Sequence, residues 1–98
     1  MTNGIKLLRL DILKPIEPPI LEYAQAIVAI DKSYSVNLRV EEIDEKTETV
    51  EVIIIGDSVN FKKIEEKINK LGGTVHSLDE VSEGKQMINS KDFSGMRK

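Results

Sequence analysis

The sequence predicts an α+β fold in which a four-stranded antiparallel sheet carries two helices on one face. Four segments have the alternating side chains or the β-branched content of strands, and two have the 3.6-residue apolar period of helices. Their order along the chain is β-α-β-β-α-β, which is two β-α-β units in tandem. Because crossovers between parallel strands are right-handed, this order predicts the ferredoxin-like plait with strand order 4-1-3-2.

The first predicted strand, Gly4–Lys14, belongs in the middle of the sheet. One of its faces is entirely apolar and carries Leu8, Leu10 and Ile12. The other face mixes charged and apolar side chains: Leu7, Arg9, Asp11 and Leu13. This asymmetry is typical of a central strand that packs one face on the core. Pro15 ends the strand because proline has no backbone N–H for the ladder.

Two helices are predicted from their apolar period and their boundaries. The first begins after the prolines of Glu17–Pro19, since proline fits the first helical turn, and runs to about Ile30. Its predicted core side chains are Ile20, Ala24, Ile27 and Val28. The second covers about Asn60–Leu71 and ends at Gly72–Gly73, because glycine permits a left-handed cap. Its predicted core side chains are Phe61, Ile64, Ile68 and Leu71.

Three further strands complete the predicted sheet. They cover Tyr34–Ile43, Thr47–Ile55 and Thr74–Val81. The second and third strands alternate, so every other side chain faces the core. These core side chains are Val36, Leu38, Val40, Val50, Val52 and Ile54.

Length and composition predict one domain, residues 1–85, followed by a tail. The chain has 98 residues, of which 40% are hydrophobic and 32% charged, enough for one two-layer core. Periodicity stops after Gly84, so we expect the tail, residues 86–98, to be loose or partner-dependent. The chain has no cysteine, which excludes disulfides and thiolate chemistry. No stretch has the length of a signal sequence or a membrane span, so we expect a cytoplasmic protein with no membrane partner.

Several functions found on this fold are disfavoured by missing features. The net charge is −3 and no aromatic side chain is predicted on the sheet face, so we expect no nucleic-acid binding. The prolines after strand one leave few backbone donors for an anion cradle of the acylphosphatase type. Metal chaperones need paired cysteines. The chain has neither a phosphate-binding glycine loop nor Ser-His-Asp spacing, so we expect no enzyme.

Strand parity places another group of side chains on the sheet face that no helix covers. Its apolar members come from the two central strands: Leu7, Leu13, Ile53 and Ile55. Because a solvated sheet face is normally polar, we favour a subunit interface over a slightly apolar monomer surface. The predicted interface consists of Leu7, Arg9, Leu13, Ile53 and Ile55. The predicted partner is a second copy of the chain.

Carboxylates are predicted to gather where strands one and two end and strand three begins: Asp11, Glu41, Glu42, Asp44, Glu48 and Glu51. Calcium or magnesium is the predicted cofactor if they form a site rather than an ordinary acidic edge. The register of the hairpin formed by strands two and three decides between a cation site and an ordinary acidic edge. With a loop at Asp44–Lys46, Arg39 lies opposite Glu51 as an ion pair, which electrostatics favours. With a loop at Glu45–Thr47, Glu41 lies opposite Glu51, and the two need a cation or a basic neighbour.

His76 and Asp79 form a further candidate ligand site. In an extended strand the two side chains point to opposite faces roughly 10 Å apart, and only a bulge brings them together. The chain has no second histidine, which disfavours zinc. The alternative is a structural histidine that contacts Asp11 at the end of strand one.

Three blocks of the sequence are distinctive: RLDILKPIEPPILEYA, VNLRVEEIDEKTETVEVIIIG and GGTVHSLDEVSEGK. They resemble the archaeal family known as domain of unknown function 211, over about Ile5–Lys85. The resemblance implies the ferredoxin-like fold and multi-subunit assemblies such as rings, and it implies no activity because the family has none assigned. The loop Asp31–Ser35 departs from the glycine-containing connection of the family, which concerns local loop geometry only.

The predicted function is that of a non-catalytic homo-oligomeric module that binds a cation or small ligand, or serves as a scaffold. The alternative is a small-ligand-sensing regulatory domain, similar to the amino-acid-binding plaits, with effector sites between subunits. An enzyme whose site is assembled between subunits comes third.

Overall fold

A computed structural model describes residues 3–88 and confirms the predicted fold. The elements are β1 (Gly4–Pro15), α1 (Ile20–Val28), β2 (Ser35–Ile43), β3 (Thr47–Ile55), α2 (Phe61–Lys70) and β4 (Thr74–Gly84). The sheet order is β2-β3-β1-β4, which is the predicted order read from the other edge. All three strand pairs are antiparallel, so the chain is an α+β ferredoxin-like plait.

The core lies between the sheet and the two helices. It contains the even-numbered side chains of the central strands: Leu8, Leu10, Ile12, Val50, Val52 and Ile54. From the helix layer Tyr23, Ile27, Ile64 and Ile68 pack against them, and all four are fully buried. The predicted strand parity is therefore confirmed for β1 and β3.

The set of buried side chains on helix α1 differs slightly from the set predicted from the sequence. Tyr23 is fully buried, whereas Val28 is 41% exposed. Ile20, Tyr23 and Ile27 follow one another at intervals of three and four residues, which puts them on one side of a helix. Val28 follows Ile27 directly and is therefore turned by about 100° away from that side. The prediction of a buried Val28 was wrong, and Tyr23 was missed.

Helix α2 is closed at both ends by specific hydrogen bonds. The Asn60 side chain accepts a hydrogen bond of 3.0 Å from the Lys63 N–H, which caps the first turn. At the other end Gly72 has a φ of +97°. The Gly73 N–H donates to the Ile68 carbonyl and the Gly72 N–H to the Asn69 carbonyl, both at 3.0 Å. This pattern is a Schellman motif and confirms the predicted glycine cap.

The strands are much longer than the helices. β1 has twelve residues and spans about 40 Å, whereas the ten residues of α2 span about 15 Å. The helices therefore cover only part of one sheet face, and on the edge strand β4 Leu78 and Val81 stay half exposed. Among the described residues no helix is both long and apolar enough to cross a membrane.

Candidate functional site: the open sheet face

The sheet face opposite the helices carries a row of four charged side chains, one from each strand. In the order β2, β3, β1, β4 they are Arg39, Glu51, Arg9 and Glu80. We call them the charge row, and the face that bears them, together with Leu13, Ile53 and Ile55, the open face. The signs alternate along the row, and Asp11 of β1 lies outside it on the same face, directly opposite Glu51.

Three ion pairs hold the charge row together. Arg9 Nη1 lies 2.8 Å from Glu51 Oε2, and Arg9 Nε lies 3.0 Å from Glu80 Oε1. Arg39 Nη2 lies 3.2 Å from Glu51 Oε1. Hydrogen bonds to Glu80 and then to Glu51 raise the pKa of the Arg9 guanidinium above its ordinary value. The Arg9 guanidinium is therefore held as a positive charge between two carboxylates.

The direct pairing of Arg39 with Glu51 agrees with the first of the two predicted hairpin registers. On the neighbouring strand β1, Asp11 lies opposite Glu51, so two carboxylates face each other across the two central strands. Like charges in that position are destabilising unless they are compensated. Arg9 and Arg39, which both bind Glu51, supply the compensation.

The strand bounds leave Asp44–Lys46 as the connection between β2 and β3, which is the loop predicted for the first register. Within it the Asp44 N–H donates to the Thr47 carbonyl at 2.8 Å. A bulge between Val40 and Glu42 leaves Glu41 as an extra residue in β2. The bulge shifts the register by one residue, so Ile43 lies opposite Glu48 beside the turn while Arg39 lies opposite Glu51.

Apolar side chains flank the charge row on both sides. Ile53 and Ile55 lie on one side, where they line a shallow depression of about 160 Å³, and Ile55 is 38% exposed. Leu13 lies on the other side and is 42% exposed. The prediction that these three residues share one face with Arg9 is thus confirmed by their positions.

Leu7 differs from the other predicted interface residues because it is only 4% exposed. It pairs with Ser82 of β4, and Ser82 Oγ accepts a hydrogen bond of 2.7 Å from the Ile88 N–H. The chain after Gly84 therefore turns back at this end of the sheet. Leu7 does not offer a free surface to a partner. Of the predicted tail, residues 89–98 lie outside the described part of the chain.

The six carboxylates of the predicted cation site are divided between the two sheet faces. Glu48 lies on the helix side and binds Lys14 Nζ at 2.8 Å, whereas Glu51 belongs to the charge row. Asp44 lies in the turn, where its Oδ1 accepts from the Glu45 N–H. Within residues 3–88 no group of three or more Asp, Glu or His side chains is arranged to hold a metal ion. Cation binding by Asp11, Glu41 and Glu42 stays a prediction.

His76 and Asp79 each occupy a bulge in β4. The register of β1 with β4 shifts at both positions, so each residue is an extra one in its strand. Asp79 Oδ1 accepts a hydrogen bond of 2.9 Å from Ser77 Oγ. His76 and Asp11 line one depression of about 290 Å³, which places the histidine beside the carboxylate that the sequence suggested.

A buried ion pair on the helix side of the sheet was not predicted from the sequence. The Lys14 side chain has no exposed surface, and its Nζ donates to Glu48 and to the carbonyls of Pro15 and Ile16. The Tyr23 ring lies over this ammonium group, 5.2 Å from its centroid. The available signal was strand parity, because Lys14 continues the even-numbered core positions of β1 and Glu48 those of β3.

Sequence comparisons show which protein family the chain belongs to. The sequence model of domain of unknown function 211, described as "Uncharacterized ArCR", matches residues 6–95. The chain belongs to this family. An uncharacterized protein of Methanocaldococcus jannaschii, MJ0319, is 48% identical over 86 residues, which cover 88% of this chain and 89% of the relative. The family match continues past Lys85, so the similarity extends further into the tail than we predicted.

Proposed function

We propose that this member of the domain of unknown function 211 family is a non-catalytic, homo-oligomeric binding or scaffold module. In this proposal two copies pack their open faces against each other. The observation that carries it is the exposure of Leu13 and Ile55 on the open face, beside the partly buried Ile53 and a charge row whose members are paired with one another. Such a surface combines an apolar contact area with a fixed electrostatic pattern.

The open face is large enough for a specific interface. Four strands at their usual spacing are about 19 Å wide, and nine paired residues are about 30 Å long. Each copy would bury about 600 Å², or about 1,200 Å² in total, which is the lower limit for stable specific interfaces.

The direct test replaces an apolar side chain of the open face by a charge. We expect Ile53→Asp to reduce the mass in light scattering, because the carboxylate would lose its hydration at the interface. Leu21→Asp is the matched control, since Leu21 is 63% exposed on α1, away from the sheet. An oligomer that survives Ile53→Asp but is lost in Leu21→Asp would move the interface to the helix layer.

A second candidate, small-ligand sensing between subunits, is favoured by the depressions at the hairpin end of the open face. One of about 290 Å³ is lined by Asp11, Leu13, Glu42, Thr49 and His76, and a neighbouring one of about 440 Å³ shares Leu13, Glu42 and Thr49. A second copy packed on the open face would cover both. Oxygen ligands of this kind suit calcium or magnesium.

Thermal unfolding with and without millimolar calcium tests whether these carboxylates bind the divalent cation of the first candidate. A bound cation raises the melting temperature by mass action. We expect Glu42→Gln to abolish that increase, while Glu45→Gln, in the exposed turn, keeps it. An unchanged melting curve of the wild-type protein would count against a calcium site.

A further inference from the structure

We infer that the C-terminal segment, residues 89–98, docks on the open face of its own subunit, with the Phe93 ring in the depression beside Ile53 and Ile55. This contact within one subunit does not depend on the proposed function, whereas its effect on pairing rests on that function. Residues 89–98 lie outside the described part of the chain. Three features point to their docking place: the path of the chain up to Ile88, the size of the depression and the composition of the segment.

The described chain already returns to the open face before residue 89. At the end of β4, Gly84 has a φ of +142°, which a residue with a side chain rarely adopts. Four residues later the Ile88 N–H donates to Ser82 Oγ at 2.7 Å. Leu7, which pairs with Ser82, is 4% exposed although it lies outside the core cluster between sheet and helices. On its other side Leu7 pairs with Ile55, which is 38% exposed. The returning segment therefore covers the open face at Leu7, and this cover ends before Ile55.

The chain beyond Ile88 is long enough to reach the depression. Three strand spacings separate Ser82 on β4 from β2, which is about 14 Å. The five residues from Ile88 to Phe93 span about 17 Å when extended. The depression lies at β2 and β3, and its lining residues are Ser35, Val36, Asn37, Ile53 and Ile55. Phe93 can therefore reach it without any change in the described part of the chain.

The depression has the size of an aromatic ring. Its volume is about 160 Å³. An apolar cavity of about 150 Å³ in a protein holds benzene. Of the four aromatic residues of the chain, Tyr23 and Tyr34 are buried in the core and Phe61 packs against it. Phe93 is thus the aromatic residue with no place in the described core, and docking would remove apolar surface of both the ring and the isoleucines from water.

Charge and family membership support the same contact. Residues 89–98 carry three basic side chains and one acidic one: Lys91, Arg97, Lys98 and Asp92. The charge row together with Asp11 has the opposite excess, with three carboxylates against two guanidinium groups. Opposite net charges favour association of the segment with the face. The family's sequence model extends to residue 95 and therefore includes Phe93.

A docked segment competes with a second copy for the open face. In the proposed function Ile53 and Ile55 contact the second copy. A subunit whose Phe93 occupies the depression cannot make that contact. The apparent affinity between copies is then reduced by the fraction of subunits that are uncovered. Removing the Phe93 ring should therefore strengthen pairing.

Paired cysteines test the contact within one subunit, since the chain has no cysteine of its own. Asn37→Cys places one thiol at the exposed rim of the depression, and Ser94→Cys places the other next to Phe93. At high dilution a short thiol cross-linker should link the two within single chains of 11.0 kDa. The control pair Asn69→Cys/Ser94→Cys has its first thiol on α2, behind the sheet, and should link at least tenfold more slowly. Equal rates in the two pairs, no linkage in either, or linkage only between chains would overturn the inferred contact.

Phe93→Ala in the full chain tests the effect on pairing. Light scattering over a range of concentrations gives the apparent dissociation constant between copies. We expect this constant to fall about tenfold, the value for nine-tenths covered subunits. Met96→Ala, which shortens another apolar side chain of the segment, should leave the constant unchanged. An unchanged or larger constant in Phe93→Ala would overturn the competition. Linkage within single chains that stay monomeric at all concentrations, with and without Phe93→Ala, would overturn the proposed function and leave the contact standing.

Discussion

At the scale of single residues, the buried ammonium group of Lys14 determines the structure beneath the proline-rich loop. All three of its donors are used, on Glu48 Oε1 at 2.8 Å and on the Pro15 and Ile16 carbonyls at 2.7 and 3.2 Å. A lysine with no exposed surface is tolerated only when it is paired and fully hydrogen-bonded. Lys14 therefore fixes the path of the chain from β1 into the loop.

Replacing Lys14 by methionine should destabilise the fold strongly. The Lys14→Met variant keeps the volume but leaves the Glu48 carboxylate and two carbonyls without their donor. We expect a loss of about 3 kcal/mol in the free energy of unfolding, measured by urea denaturation. The double variant Lys14→Met/Glu48→Gln should lose less than the sum of the two single variants. Strict additivity would mean that the two side chains do not depend on each other.

The Tyr23 hydroxyl gives a prediction for the pH dependence of stability. It donates to the Leu71 carbonyl at 2.9 Å. Burial, and secondarily the Glu48 carboxylate, raise the pKa of Tyr23 above its ordinary value of 10.0. The unfolded chain therefore loses this proton first, so the stabilisation is complete below pH ~10 and is lost as the pH rises through the folded pKa.

We expect Tyr23→Phe to cost about 1 kcal/mol near neutral pH, because the Leu71 carbonyl loses its donor. Above pH ~10 the wild-type protein should lose stability more steeply than the variant, so the two urea midpoints converge. If the free energies of unfolding of the wild-type protein and of Tyr23→Phe changed in parallel with pH, the Tyr23 phenol would have the same pKa in the folded and unfolded states.

At the scale of elements, the sequence predicted those structural features that depend on a single segment of the chain. The alternation of β1 and β3 identified the core, and Gly72–Gly73 identified the end of α2. The bulges in β2 and β4 were not predictable, because a bulge depends on the register that two strands adopt together. For the same reason the candidate site was only partly predicted. Strand parity predicted which side chains share the open face, but the ion pairs of the charge row depend on the register of all four strands.

The end of α2 gives a prediction for a single element. Gly72 has a φ of +97°, where a side chain is strained. We expect Gly72→Ala to lower the free energy of unfolding by about 1–2 kcal/mol, measured by thermal denaturation. Asn69→Ala is the control, because Asn69 is an exposed helical residue whose backbone carbonyl, and not its side chain, accepts the capping bond. Equal melting temperatures for Gly72→Ala and the wild-type protein would contradict a strained cap.

At the scale of the whole molecule, the described part of the chain is a thin slab of 42 × 33 × 17 Å. Two short helices cover part of one face, and the other face carries the charge row with its apolar flanks. A small two-layer domain buries a modest fraction of its surface, so pairing of the open faces would add substantially to its core. In the proposed assembly a second copy on the open face would cover the exposed Leu13 and Ile55 and so stabilise each subunit.

The most direct measurement of this account is the native mass of the wild-type protein over a range of concentrations. One chain has a mass of 11.0 kDa. Packing of open faces predicts a multiple of that mass, with dissociation to 11.0 kDa only on dilution or in Ile53→Asp. A mass of 11.0 kDa at every concentration, or an assembly that Ile53→Asp leaves intact, would contradict the account.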